Sequence, residues 1–380
     1  MRTIFHLDLD TFFVSVERIL DPSLENLPVI VGGDPHGRGV VAACSYEARK
    51  YGLHSAMPIR TAFKLCPQGI YLHGHHEEYT RFSKLVKNIL TKYAPIIEQA
   101  SIDEFYMDFT GCEKIYGSLL AFARFLQNEI WERLGLPASI GIGSNKTIAK
   151  IGSDFQKPKG ITFIKHGTEK DFLSPLPIET IPGVGKATLK ELNNRGFYKI
   201  GDLAKVNSDY LGVIFGKYGI DLWHKANGEG VEYLSVEHEQ KSISKERTFE
   251  DVIDKEKIIN ILFKLTGQVC QLLRDSNFQA STISIKLRYS DFKTLTRAKT
   301  IQHTDDDKVI FETAKNLFLK SYTRRVSVRL IGVKLTNFIV AFRQVSLFDE
   351  QEEKRLKMIE AINSIRERYG YSAITIGVNE

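Results

Sequence analysis

Along the first 165 residues the apolar and polar positions switch repeatedly between a period of two and a helical period, and those switches predict the elements. Residues 3–8 are β-prone with Ile4, Phe5 and Leu7 apolar, which predicts a strand ending at Asp8. Phe12, Val16, Ile19 and Leu20 then recur at helical spacing until Asp21-Pro22 stops the helix. Residues 29–31 and 40–43 predict two strands paired around the turn GGDPHGRG. Next, CSYEARKYGL predicts a short helix closed by Gly52, residues 60–65 another helix, and residues 70–72 a strand. An amphipathic helix over 77–93 has Tyr79, Phe82, Leu85, Ile89 and Leu90 as its buried stripe. Ile96 and Ile97, followed by Phe105, Met107 and Phe109 alternating with Tyr106 and Asp108, predict a hairpin with one buried face. A helix over 119–134, a strand over 138–142, a lysine-bearing helix in GSNKTIAKIGSDFQKPKG and a strand over 161–164 follow. This β-α-β-β-α-β succession predicts a ferredoxin-like sheet.

From Pro175 the pattern breaks into short helices. The run IPGVGK, Ile181 to Lys186, sits between two helical patterns and reads as a helix-hairpin-helix, whose turn glycines free backbone N–H groups to grip a DNA phosphate. A polar linker over 233–240 leads to a second α+β segment, 241–343, with four predicted strands and two helices. After it stand QVSLF and an acidic run, then a predicted helix over 353–369 and a strand over 373–378.

Length and composition narrow the class. A chain of 380 residues exceeds what one core usually serves, and 43% apolar with 26% charged residues is the composition of folded protein. No apolar run reaches the roughly 18 residues of a membrane span, so a cytoplasmic protein without membrane contact is expected. Cys44, Cys66, Cys112 and Cys270 form no CxxC pair, which excludes a cysteine-based zinc site or disulfide framework. The net charge of +6 is unevenly spread: residues 241–343 carry 20 Lys/Arg against 11 Asp/Glu. That basic module, with Lys286, Arg288, Lys293, Arg297 and Lys299 interleaved with Tyr289 and Phe292, predicts salt-dependent nucleic-acid binding.

The candidate chemistry lies in the near-neutral part. Asp103 and Glu104 are adjacent acids flanked by Ile102 and Phe105, and Asp8 ends the first strand on a sheet rim. Such acids repel and lose hydration unless a cation neutralises them, and Mg²⁺ with a few carboxylates and phosphate oxygens would do so. A solvated turn at 103–104, and a helix N-cap plus a solvated acid at Asp8 and Asp10, are the alternatives that the residues leave open. Tyr46 and Arg49, three apart on a helix, pair an aromatic ring with a guanidinium that can meet a triphosphate. Lys146, Lys150 and Lys157 supply cations nearby, whereas His73, His75 and His76 read as polar surface.

Five stretches in order, HLDLDTFFVSVE, VVAACSYEARKYGLHSAMP, ASIDEFYMD, GIGSNKTIAKIGSDFQKPKG and IPGVGK, resemble the Y-family of translesion DNA polymerases in its DNA polymerase IV (DinB-type) branch. The resemblance implies a multidomain right-hand polymerase of the α+β class. Its palm would be 1–18 and 73–165, small fingers 19–72, helical thumb 166–232, little finger 241–343, and clamp-binding peptide with tail 344–380. It implies error-prone, template-directed synthesis on primer–template DNA from dNTP, without proofreading. Carried over by position, Asp8, Asp103 and Glu104 with the Leu9 carbonyl would hold two Mg²⁺ ions. Phe12, Phe13, Tyr46, Arg49 and Lys157 would contact the nucleotide, with Phe13 as steric gate against a ribose 2′-hydroxyl. Gly183, Gly185, Lys186, Lys286, Arg288 and Arg297 would contact DNA. Gln344, Leu347 and Phe348 would dock a monomeric enzyme on a sliding clamp. A non-catalytic DNA-binding scaffold and a palm-type nucleotide cyclase are the competing readings.

Overall fold

All six residues of the strand Ile4–Leu9 are buried, because this strand is the middle of a five-stranded sheet covered on both faces. The computed structural model describes residues 2–236, 239–341 and isolated positions from 358 to 374. The chain forms two compact units, Met1–His238 and Glu239–Glu380.

In the first unit the strands run in the spatial order Ile96–Gln99, Glu104–Asp108, Ile4–Leu9, Ala138–Gly143 and Ile161–Phe163. The first four are antiparallel in the predicted ferredoxin-like order, and the fifth adds a parallel edge beside Ala138–Gly143. Helices His76–Leu90 and Leu119–Leu134 pack on one face around Phe5, Phe105, Met107 and Ile140. On the other face helix Lys146–Phe155 lies directly on the backbone: a Cβ at Gly141 would come within 1.9 Å of the Ala149 carbonyl, and Gly152 faces Gly141 across the gap. That close approach carries Lys150 and the following loop to the sheet rim that holds Glu104 and Asp8.

Several expectations are corrected. The 104–108 strand buries both faces, not one, since Tyr106 packs with Ile4 and Ala149 beneath the second helix layer. Val29–Val31 pairs with Ala43–Cys44 and, in parallel, with Ile70–Leu72, while Val40 makes only a bridge to Pro58. The first arm of the hairpin at 181–185 is a single 3₁₀ turn, Ile178–Thr180, because Pro177 and Pro182 bracket it. The linker is also less free than its polarity suggests within the first unit. Ser235 N–H donates to the buried Glu98 at 2.8 Å, Arg2 lies over the Tyr233 ring, and just ahead of the linker Val231 O accepts Lys146 N–H at 3.1 Å.

The second unit is a four-stranded antiparallel sheet in the order Thr294–Thr304, Phe278–Tyr289, Val328–Val340, Ser242–Val252. Helices Lys255–Asp275 and Asp307–Ser321 cover one face around Leu262, Ile283, Phe318 and Ile331. Tyr289, expected on the binding face, is fully buried and donates its hydroxyl to Ser321 O. The described positions of the predicted helix over 353–369 are helical; Gln344, Leu347 and Phe348 lie outside the described residues. Of the strand predicted over 373–378 only Ala373 and Ile374 are described, and neither is in a strand.

Candidate active site

Strand register brings the three acids to one rim. Asp8 is the Cα partner of Glu104, and Leu9 N–H donates to the Asp103 carbonyl at 3.0 Å. Leu9 itself is buried and offers this rim only its backbone. Each carboxyl group is turned to its own partner: Asp8 to Lys157 Nζ at 2.7 Å, Glu104 to Lys150 Nζ at 2.6 Å, and Asp103 to the Ser101 hydroxyl. Among the described residues no three His, Cys, Asp or Glu side chains converge on a metal position. The backbone thus assembles the expected donors, while two ammonium groups supply the neutralising charge.

The electrostatics separate the acids. Burial pushes Asp8 up to about 7, although Lys157 pulls the other way. Glu104 is held down at about 2, first by His6, whose Nε2 lies 3.5 Å away, and then by Lys150. His6 is fully buried; burial lowers its pKa and keeps the ring neutral, with Nδ1 on Ser153 at 2.7 Å. Burial would lower Lys157 too, but Asp8 and Asp154 outweigh it and push its pKa up. The donors are hard oxygens, and Asp8 is a dehydrated carboxylate, so the set fits an oxygen-seeking divalent cation.

The loop after the lysine helix is anchored from beneath. Asp10, buried and raised by that burial, accepts Lys159 N–H at 2.8 Å and the Ser139 hydroxyl at 2.9 Å. Asp10 is therefore a loop anchor, and the helix cap falls to Thr11, in the left-handed region without a side-chain cap bond. Ser45 caps the helix Tyr46–Arg49 by accepting Ala48 N–H, and the Arg49 guanidinium stacks 4.9 Å from the Tyr46 ring centroid. Burial, followed by the charge of Asp10, raises the Tyr46 phenol, with Lys157 and Asp8 also within electrostatic reach. Tyr46, Lys157 and Asp8 thus share one neighbourhood.

Phe12 and Phe13 part company. Phe12 is buried in the main core, whereas half-buried Phe13 lies flat on Tyr79 with ring centroids 4.2 Å apart. Tyr79 donates its hydroxyl to Glu17, a buried acid that also meets His75 Nδ1 at 2.9 Å. Tyr79 is read from the sequence only as part of a buried stripe, and Glu17 escapes sequence reading, although an acid four residues after Phe13 in an apolar stretch is the signal for such a support.

Gly183 has φ of 99°, which demands glycine, and Tyr218 donates to its carbonyl. Gly185 has ordinary φ and open space around its Cβ position, so neither strain nor crowding requires glycine there. The bare backbone precedes Lys186, first residue of the helix Lys186–Asn193, which has no side-chain cap. On the second unit Lys286 meets Glu246 at 2.8 Å, Arg288 donates to Thr294, and Arg297 to the Thr296 carbonyl. Ser284, Thr336 and Lys334 join Lys286 and Glu246 around a concavity of about 460 Å³ on the open sheet face. Strand alternation alone does not show which strands lie side by side, so this grouping was not legible beforehand.

Residues 7–154 match the impB/mucB/samB family, residues 240–347 its C-terminal domain, and residues 166–197 the IMS family HHH motif. The chain is 38% identical over 380 residues to DNA polymerase IV of Dehalococcoides mccartyi (strain CBDB1), covering 99% of this chain and 97% of that protein. It is 42% identical over 343 residues to DNA polymerase IV of Lactococcus lactis subsp. cremoris (strain MG1363), covering 89% and 94%. A solved Y-family DNA polymerase chimera superposes with a TM-score of 0.80 at 32% identity, covering 89% of this chain and 99% of that one. An insertion ternary complex of Dbh DNA polymerase gives a TM-score of 0.62 at 31% identity, with the same coverage. Matches of this extent to the family models and to full-length relatives mean that the chain belongs to the Y-family of DNA polymerases, in the DNA polymerase IV branch.

Proposed function

We propose that Asp8, Asp103 and Glu104, with the Leu9 carbonyl, hold two Mg²⁺ ions with which this enzyme joins a dNTP to a primer 3′-hydroxyl. The chain is a DNA-directed DNA polymerase of the translesion class, dependent on divalent metal and without proofreading, as is general for its family. Bound divalent ions polarise the reacting oxygens and neutralise charge on the leaving pyrophosphate. The observation carrying this reading is the register that sets Asp8 opposite Glu104 and Leu9 against Asp103, with ammonium groups on two of the three acids.

This chain's residues supply positioning. Lys157, Arg49 and Tyr46 bind and orient the triphosphate, and Lys157 exchanges its contact with Asp8 for one with phosphate. Phe13, braced on Tyr79, blocks a 2′-hydroxyl by clash. The bare backbone at 183–185 with Lys186, and the basic sheet face of the second unit, hold primer–template DNA through phosphates. Gln344, Leu347 and Phe348 dock a sliding clamp, and the enzyme works as a cytoplasmic monomer; among the described residues no helix is long and apolar enough to cross a membrane. Primer extension over undamaged and abasic templates tests the whole reading. Extension past the lesion with Mg²⁺ is expected, and correctly bound DNA without extension would support a scaffold instead.

A further inference from the structure

The hairpin tip between strands Phe278–Tyr289 and Thr294–Thr304 holds a residue that the fold does not need. Phe292 sits there with φ of 65°, in the left-handed region where a bulky side chain is rare, and is 65% exposed. Its ring stands outside the apolar core of this unit. The turn is held without it: Phe292 N–H donates to Tyr289 O at 2.9 Å, Ser290 N–H to Ser327 O at 2.9 Å, and Arg324 grips Asp291 with two hydrogen bonds. Asparagine or glycine would make the same turn with less strain.

What the ring does have is a cation on one face. The Arg329 guanidinium carbon lies 4.0 Å from its centroid, and Lys293 and Arg288 flank the turn, Arg288 through Thr294. Arg324 neutralises Asp291, so the tip presents an aromatic face in net positive charge. The complementary ligand has a flat π-face and a negative backbone. A paired base offers proteins only its edges, whereas an unpaired base exposes its face for stacking.

We propose that Phe292, backed by Arg329, is a stacking site for an unpaired nucleotide of single-stranded DNA. The proposal rests on the reading of this chain as a DNA-binding polymerase only in its choice of nucleic acid as ligand. It assigns the tip a job distinct from the sheet face, which grips phosphates of a duplex.

The test is fluorescence anisotropy with the full chain, using labelled oligo-dT and a blunt hairpin duplex at one salt concentration. Phe292→Ala and Phe292→Asn are expected to weaken oligo-dT binding about 5-fold or more while duplex affinity stays within about 2-fold. Phe292→Asn suits the left-handed turn and is expected to melt at or above the wild-type temperature, which separates binding from folding. Phe292→Trp is expected to retain oligo-dT affinity, and its added emission to be quenched by oligo-dT. Unchanged oligo-dT affinity in Phe292→Ala and Phe292→Asn overturns the proposal, as does equal loss on both DNAs or an unquenched Phe292→Trp protein. Selective loss on oligo-dT in a chain that fails to extend primers supports the stacking site and counts against the polymerase reading alone.

Discussion

Phe13 and Tyr79 lie face to face, 4.2 Å between centroids and 9° from parallel, and Glu17 fixes Tyr79 from below. The gate proposed at Phe13 would need a stiff position, and this stack supplies one. Phe13→Ala is expected to raise ribonucleotide insertion relative to deoxyribonucleotide by at least about tenfold, or about 1.4 kcal/mol of lost discrimination. Tyr79→Ala is expected to relax it less, since the gate ring remains but loses its backing. Single-nucleotide insertion kinetics with matched rNTP and dNTP decide this; an unchanged ratio in Phe13→Ala removes the gate assignment.

Removal of either neighbouring acid separates chemistry from binding. Asp103→Ala and Glu104→Ala are each expected to slow primer extension by about 10³-fold or more. Affinity for primer–template DNA measured without dNTP is expected to stay within a few-fold. Normal extension in both variants would refute the metal assignment.

Lys157 bridges Asp8 at 2.7 Å and Asp154 at 2.8 Å, which would tie the proposed triphosphate contact to the proposed metal position at Asp8. Lys157→Ala is expected to raise KM for dNTP about tenfold and to leave Asp8 buried without its counter-charge, a loss of about 3 kcal/mol by comparison with other broken buried pairs. Added Mg²⁺ is therefore expected to raise the melting temperature more in Lys157→Ala than in wild type. Equal Mg²⁺ shifts in the two proteins would contradict a cation position at Asp8.

Asp8 makes metal-free stability depend on pH. Its folded pKa of about 7 lies above the unfolded value, so folding keeps a proton that the unfolded chain releases. Below roughly pH 4 both states are protonated and nothing is lost; from there to about pH 7 stability falls, and above it the loss is complete. Asp8→Asn is expected to remove this fall in stability between about pH 4 and pH 7, while its stability at every pH is lowered by the loss of the Lys157 counter-charge. Denaturant titrations with chelator at both pH values check the sign.

The open sheet face of the second unit gives a salt signature. Lys286→Ala combined with Lys334→Ala is expected to lower the slope of log affinity against log salt by about 0.9 for each phosphate contact removed. A parallel line with a lower intercept would mean that these lysines act without touching phosphate.

Much of the architecture was readable because burial imposes a period on the chain. The strand at 3–8, the helices on 77–93 and 119–134 and the 241–343 module all follow from apolar spacing. The errors came where tertiary context overrode local pattern. Tyr106 and Asp108 look solvent-facing by alternation, yet Tyr106 packs with Ile4 and Ala149 of the second helix layer, and Asp108 is buried on Arg2 and the Thr110 N–H. Tyr289 reads as a binding aromatic but completes a core. The linker over 233–240 reads as polar and free, yet Ser235 is bound to Glu98 and Tyr233 lies under Arg2.

The sequence by itself determined which side chains are available, the acids, the lysines, the aromatic pair and the bare glycines, because residue type and local spacing are one-dimensional properties. Only the tertiary structure decided who faces whom. Antiparallel register set Asp8 against Glu104 across 96 residues, and the glycine contact at Gly141 and Gly152 let a helix close enough to deliver Lys150 and Lys157. Packing sent Phe12 into the core and left Phe13 on Tyr79, although the two are neighbours of one kind. The reason is geometric: successive side chains on a helix point about 100° apart, so the direction of the core chooses between them.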